Sequence, residues 1–249
     1  MKKIRFTKMV GIVAVFALCF AFVPQVKASA SEIELGATYV INNAFTISGG
    51  YYISYSSLKD GANVNIVENG ANKFRQYWKI LPANSASVYL ICPATNTNLA
   101  LDCSGGDLQL KPVNTLSNTQ RWTIGTSGVM KAQSNSNMCI EMDYLKPNYN
   151  LIYAAYNPNK EPFWYHNKTT YCTHNFVKGV CSKCQAKLGD VNEDGVVNDT
   201  DNITLTRYVA NWNGQYVSNS LSDMNRDGIL NDADVVLLGR LLAGWDIWG

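Results

Sequence analysis

Two twelve-residue stretches near the end of the chain share one pattern at an offset of 33 residues, and they constrain its folding more than any other feature. The first runs Asp190-Val191-Asn192-Glu193-Asp194-Gly195-Val196-Val197-Asn198-Asp199-Thr200-Asp201. The second places Asp223, Asn225, Asp227, Gly228, Ile229, Asn231 and Asp234 at the matching positions. Oxygen-bearing side chains stand at positions 1, 3, 5, 9 and 12, glycine at 6, and Val196 or Ile229 at 7. A twelve-residue calcium loop asks for that order, because it takes a backbone carbonyl at position 7 and makes its sharp turn at 6. One match is compatible with an ordinary surface turn, since Asp, Asn and Gly all form turns. Two complete matches in tandem predict two calcium ions.

The flanks refine the unit. Ile203, Leu205, Tyr208 and Val209 follow the first loop at helical spacing, and Val235, Leu238, Leu241 and Leu242 follow the second. Only Lys187-Leu188-Gly189 precedes the first loop, so the pattern is loop then helix, and an ordinary helix–loop–helix hand is disfavoured. Both loops close with Asp in place of Glu at position 12, a shorter reach. A module of roughly sixty residues buries only a modest core and needs a staple. Without a cation, Asp190, Asp194 and Asp201 would crowd like charges together.

Gly189 through Tyr208, echoed by Asp223 through Leu242, resembles a type I dockerin over residues 188–249. The resemblance implies two calcium-fixed loop–helix units related by approximate two-fold symmetry, docking on a cohesin domain of a scaffold protein. It also implies cohesin contacts at the tenth and eleventh loop positions and at a basic residue further along each helix. Those are Asp199, Thr200 and Arg207 in one unit, and Asp232, Ala233 and Arg240 in the other.

Just upstream, residues 169–187 contain Cys172, His174, Cys181 and Cys184, a Cys-x-His followed by a Cys-x-x-Cys. Four soft ligands so close together suit one tetrahedral zinc, and a closed set of four leaves no open position for catalysis. The competing reading is a disulfide, which export permits. It accounts for the cysteines but not for His174. The segment resembles small Cys/His elements found between modules of secreted bacterial surface proteins, and reads as a rigid spacer.

The body, residues 31–168, repeats weakly. Trp78, Trp122 and Trp164 end three copies, 44 and 42 residues apart, with Gln76 and Gln120 two residues ahead of the first two and Pro162 ahead of the third. In the middle copy, Val88–Cys92, Leu99–Cys103 and Leu108–Leu110 read as strands. Three copies of strand and turn predict a closed, three-fold all-β structure with the tryptophans in a shared core. The Gln-x-Trp tags and the stretch from Leu101 to Leu110 resemble the ricin-B-type β-trefoil, a carbohydrate-binding family. Sugar binding pairs a carboxylate or amide with an aromatic face. The carboxylate position implied by the resemblance is Ser54, Asp102 and Glu141 in the three repeats. Asp102 has Asn118 and Gln120 nearby but Lys111 where an aromatic would stand, and Glu141 has Tyr153. The tryptophans and the Gln side chains read equally well as core features.

Lys2, Lys3, Arg5 and Lys8, an apolar run from Met9 to Val23 and Ala28-Ser29-Ala30 read as a cleaved signal peptide over residues 1–30, which implies a secreted protein without a membrane anchor after cleavage. Ten acidic and three basic residues follow Leu188 inclusive, against nine and thirteen from Ser31 to Lys187. An acidic tail on a mildly basic body is organised around cations, and not around nucleic acid. The two histidines, His166 and His174, have no nucleophile beside them in any recognisable motif, and trefoil, spacer and dockerin between them account for residues 31–249. The chain therefore reads as a non-catalytic subunit, bringing polysaccharide affinity to a cellulosome-like complex. The alternative is an interaction protein whose trefoil grips a protein or cell-surface partner.

Overall fold

The computed structural model describes residues 33–43, 51–68, 73–125, 128–143, 150–157, 164–170 and 172–248. The signal-peptide reading and Pro162 lie outside the described residues.

Each repeat contributes four strands. The first holds β1 (Thr38–Asn43), β2 (Tyr51–Tyr55), β3 (Val64–Glu68) and β4 (Tyr77–Pro82). The second holds β5 (Tyr89–Pro93), β6 (Leu99–Asp102), β7 (Gln109–Pro112) and β8 (Trp122–Ile124). The third holds β9 (Met130–Ala132), β10 (Met138–Asp143), β11 (Asn150–Ala155) and β12 (Trp164–Thr169). The outer strands of each repeat build a barrel, in which β12 pairs with β1, β1 with β4, β4 with β5, β5 with β8 and β8 with β9. The inner strands form three hairpins, β2/β3, β6/β7 and β10/β11. This is the β-trefoil arrangement. At the remaining barrel edge the chain passes so close that a Cβ on Gly128 would lie 1.8 Å from the Trp164 carbonyl oxygen. Gly128 also has φ +79°, so only glycine fits there without strain.

One hydrogen bond recurs in all three repeats. The indole N–H groups of Trp78, Trp122 and Trp164 donate to the carbonyls of Ile53, Leu101 and Ile140, at 3.0, 3.0 and 2.9 Å. All three rings are buried in one core with Ile41, Ile80, Ile91, Leu99 and Met130. A buried indole needs a partner for its single donor, and each repeat supplies the same one.

After the trefoil, β13 (Phe176–Val177) and β14 (Val180–Cys181) turn about Lys178 and Gly179, both at positive φ. Then follow α1 (Asp199–Val209), the four-residue α2 (Asn219–Ser222) and α3 (Asp232–Leu242). The helices α1 and α3 pack through Leu205 and Leu238, in a core shared with Leu188, Val191, Val217 and Met224. Ile203 departs from the expected apolar face and is 50 % exposed. Two residues along a helix is about 200° of rotation, so Ile203 cannot share the inward direction of Leu205. Tyr208 departs from it too and is exposed.

Candidate functional site

The two loops share most of their hydrogen bonds. The first-position aspartates, Asp190 and Asp223, accept from the N–H of Gly195 and Gly228 at 3.0 and 2.9 Å. The third-position amide oxygens of Asn192 and Asn225 accept from Asp194 and Asp227, at 2.9 and 3.0 Å. Those fifth-position carboxylates accept in turn from Val196 and Ile229, at 2.9 and 2.8 Å. Gly195 and Gly228 take φ +94° and +86°, which is what a glycine at position 6 is for.

The last loop position doubles as a helix cap. Asn198 and Asn231 are the N-caps of α1 and α3, accepting from Thr200 and Ala233 at 2.7 Å in each case. Asp201 and Asp234 close a capping box by accepting from the N–H of Asn198 and Asn231 at 2.9 and 3.0 Å. Asp at position 12 thus serves the helix and the loop at once, which places both helices in fixed register with their loops.

The donor set fits a hard divalent cation. Asp190 is fully buried and its Oδ1 has no hydrogen-bond partner. Burial, then the neighbouring Asp201, Glu193 and Asp194, push its carboxyl up to about 7. Burial likewise raises Asp201. An ion among these oxygens would satisfy the orphaned atom and offset the repulsion.

Residues 188–243 match the family described as "Dockerin type I domain". The C-terminal module is a dockerin. Domains of this family bind calcium, and the match implies a cohesin partner.

The dockerin carries two matching outer faces. Asp199, Thr200 and Arg207 are exposed along α1, and Asp232, Ala233 and Arg240 along α3. Sequence reasoning missed four residues that belong with them. Ile203 and Val236 are 50 and 51 % exposed, and Trp212 and Trp245 are 60 and 61 % exposed. Arg207 lies 5.3 Å from the Trp212 ring and Arg240 lies 5.5 Å from that of Trp245. The 33-residue offset was the available signal, because Ile203/Val236 and Trp212/Trp245 obey it as strictly as the loops do.

The spacer brings its four ligand atoms within 4.8 Å of one another. Cys172 and Cys181 Sγ atoms stand 3.8 Å apart, and Cys184 Sγ lies 3.3 Å from His174 Nδ1. A zinc–sulfur bond of about 2.3 Å gives a tetrahedral edge of about 3.8 Å, whereas a disulfide requires about 2.05 Å. The described cysteines are all free. Burial raises Cys181, but main-chain and His174 donors outweigh it and bring the thiol down to about 6, while burial and its neighbours push Cys184 up to about 12. His174 stacks on Phe176 at 5.2 Å.

In the trefoil, the tryptophan bonds confirm that Ser54, Asp102 and Glu141, each one residue beyond an indole acceptor, are equivalent. Their surroundings differ from the sugar-site expectation. Asp102 is 4 % exposed, and its two oxygens accept from Ser104 N at 2.6 Å and Thr119 Oγ1 at 3.0 Å. Gln120 is buried and spans a turn, accepting from Asn114 N at 2.7 Å and donating to the Pro112 carbonyl at 2.9 Å. Tyr153 pairs with Ile140 in the β10/β11 ladder, whereas Glu141 pairs with Ile152, so Glu141 and Tyr153 point to opposite faces. Tyr153 occupies the position of Ile66 and Leu110, and its ring meets Trp122 edge-on at 5.9 Å. Asn118 is exposed and Glu141 half-buried. Asp102, Gln120 and Tyr153 are therefore engaged within the fold.

No curated protein matches the chain. Among solved structures, a mosquitocidal holotoxin is similar at 18 % identity and TM-score 0.47, over 55 % of this chain and 18 % of its own. A Polyporus squamosus lectin shows 16 % identity and TM-score 0.44, over 55 % of this chain and 50 % of its own. The C-half of an earthworm R-type lectin shows 10 % and 0.42, over 53 % and 99 %. The chain thus spans half or less of the first two. The trefoil assignment stands on the strand pairing and the three indole bonds. Among the described residues, no helix is long and apolar enough to cross a membrane.

Proposed function

We propose that this chain is a secreted, non-catalytic carbohydrate-binding subunit, held on a cohesin-bearing scaffold by a dockerin that carries two calcium ions and stiffened by one structural zinc. The observation that carries the docking part is the shared turn-and-cap geometry of the two loops, each closing a capping box onto its own helix. Six positions in each loop supply the calcium oxygens, with Val196 and Ile229 contributing carbonyls. Cys172, His174, Cys181 and Cys184 hold the zinc, supported by an Sγ–Sγ spacing equal to a tetrahedral edge. The carbohydrate part is supported by the three-repeat trefoil, with Glu141 and Asn118 as the side chains left open to a ligand.

A second reading has its own observation. The oxygens of Asp102 and Gln120 are consumed by the fold, which favours a trefoil that grips a protein partner through its loops. Retention of the full chain on insoluble polysaccharides separates the two. The carbohydrate reading expects binding that falls in Glu141→Gln and survives in Asp102→Asn if folding is intact. Absence of retention on every polysaccharide and glycan array would sink it in favour of the protein partner. Release of reducing sugar would instead overturn the non-catalytic reading.

A further inference from the structure

The fourth position of a calcium loop is not a ligand position. In the second loop it is Arg226, exposed to solvent. In the first it is Glu193, which is fully buried against the trefoil. The hydroxyls of Tyr55 and Thr95 both donate to Glu193 Oε2, Thr95 at 3.2 Å, and the two hydroxyls are themselves 3.2 Å apart. The buried Arg75, whose Nη1 donates to the Ser56 carbonyl at 2.6 Å, places a positive charge near Glu193 that offsets part of the cost of burying it. The neighbouring main chain is held as well. Leu58 N donates to the Asn192 carbonyl at 2.6 Å, and Asn96 Nδ2 donates to the Val217 carbonyl at 3.1 Å. Val217 precedes Ser218, whose N–H returns to the Val191 carbonyl at 2.9 Å.

Glu193 lies between two calcium positions, Asn192 and Asp194, so whatever fixes Glu193 fixes the spacing of those ligands. We propose that Glu193, Tyr55 and Thr95 are positioning residues for the first calcium, through which the trefoil preorganises that loop and calcium in turn locks trefoil and dockerin into one body. This rests on the reading that the first loop holds calcium. Preorganisation raises affinity by removing the ordering cost from the binding step. Linkage makes the effect reciprocal, so calcium must tighten the trefoil contact by the same factor. Among the described residues the second loop shows no such clamp, since Arg226 is exposed.

Calorimetric titration of the metal-stripped full chain tests the proposal. Tyr55→Phe with Thr95→Val removes both hydroxyl donors at sites 138 and 98 residues from Glu193 while keeping the core shapes. The expected result is that one of two calcium steps weakens by about tenfold and the other is unchanged. Hydrogen exchange at the Leu58 amide should slow on adding calcium in the parent chain and respond less in the variant. Two unchanged constants, or two that fall equally, would overturn the clamp. If the pair loses exchange protection at Ile91, deep in the barrel, Glu193→Gln decides by the same criterion, with Arg226→Gln as the silent control. A parent chain that takes up no calcium would defeat the calcium reading itself, an outcome distinct from unchanged constants in the variant.

Discussion

Glu193 and Arg226 occupy the same position of two loops with the same backbone turn, φ +54° and +59°, yet one is sealed inside the molecule and the other stands in solvent. The dockerin is therefore symmetric in its own fold and asymmetric in its setting. Among the described residues, only the first loop has its fourth position buried against the trefoil.

Embedding sets the pH response of the metal-free protein. Asp190 and Glu193 are both pushed up to about 7, burial being the main cause for each. A carboxyl whose folded value is raised keeps a proton that the unfolded chain releases. Stability from these groups is present at low pH and is lost as pH rises from the ordinary carboxylate range through about 7. With chelator present, the melting temperature should be lower at pH 7.5 than at pH 5, and calcium should raise it more at the higher pH. A flat chelator profile would contradict the assignment of these two groups.

The barrel edge at Gly128 should tolerate no side chain. Gly128→Ala meets both a positive φ and the Trp164 main chain, and is expected to cost about 2–4 kcal/mol in denaturant unfolding. Gly105→Ala, with open space around it, should be within about 0.5 kcal/mol of the parent.

Metal content should read one zinc per chain by mass spectrometry of the purified protein. Cys184→Ser or His174→Ala should lose it and loosen the spacer, seen as new protease cleavage between residues 170 and 187. A mass two units below the reduced chain, with no zinc, would establish a disulfide instead.

The twin outer faces should compensate for one another. Arg207→Ala or Arg240→Ala alone should weaken cohesin binding by less than about threefold, and the double substitution by more than about tenfold. If one single substitution has the whole effect, only one face is used.

The loops, their helices and the Cys/His cluster were legible because their chemistry is local: each set is written within a short run of residues at fixed spacing. The trefoil was legible through Trp78, Trp122 and Trp164, since a buried indole enforces the same bond in each repeat. The strands of the middle repeat fall within about two residues of their predicted ends. What stayed hidden depends on long-range burial. Asp102 and Gln120 sit at the right positions, but whether their oxygens are free is decided by Thr119 and Asn114. Tyr153 could not be assigned a face without the β10/β11 register. Glu193 gave one sign, as the loop position where an acid in one copy meets a base in the other, but its Tyr55 partner lies 138 residues away.

The most direct test of the account is binding of the full chain to a panel of cohesins, with calcium and with excess chelator, while far-UV circular dichroism follows α1 and α3. At least one cohesin should be held only in calcium, with the helical signal falling when the metal is removed. Binding and helical signal that both survive the chelator, or no cohesin bound in calcium, would contradict it.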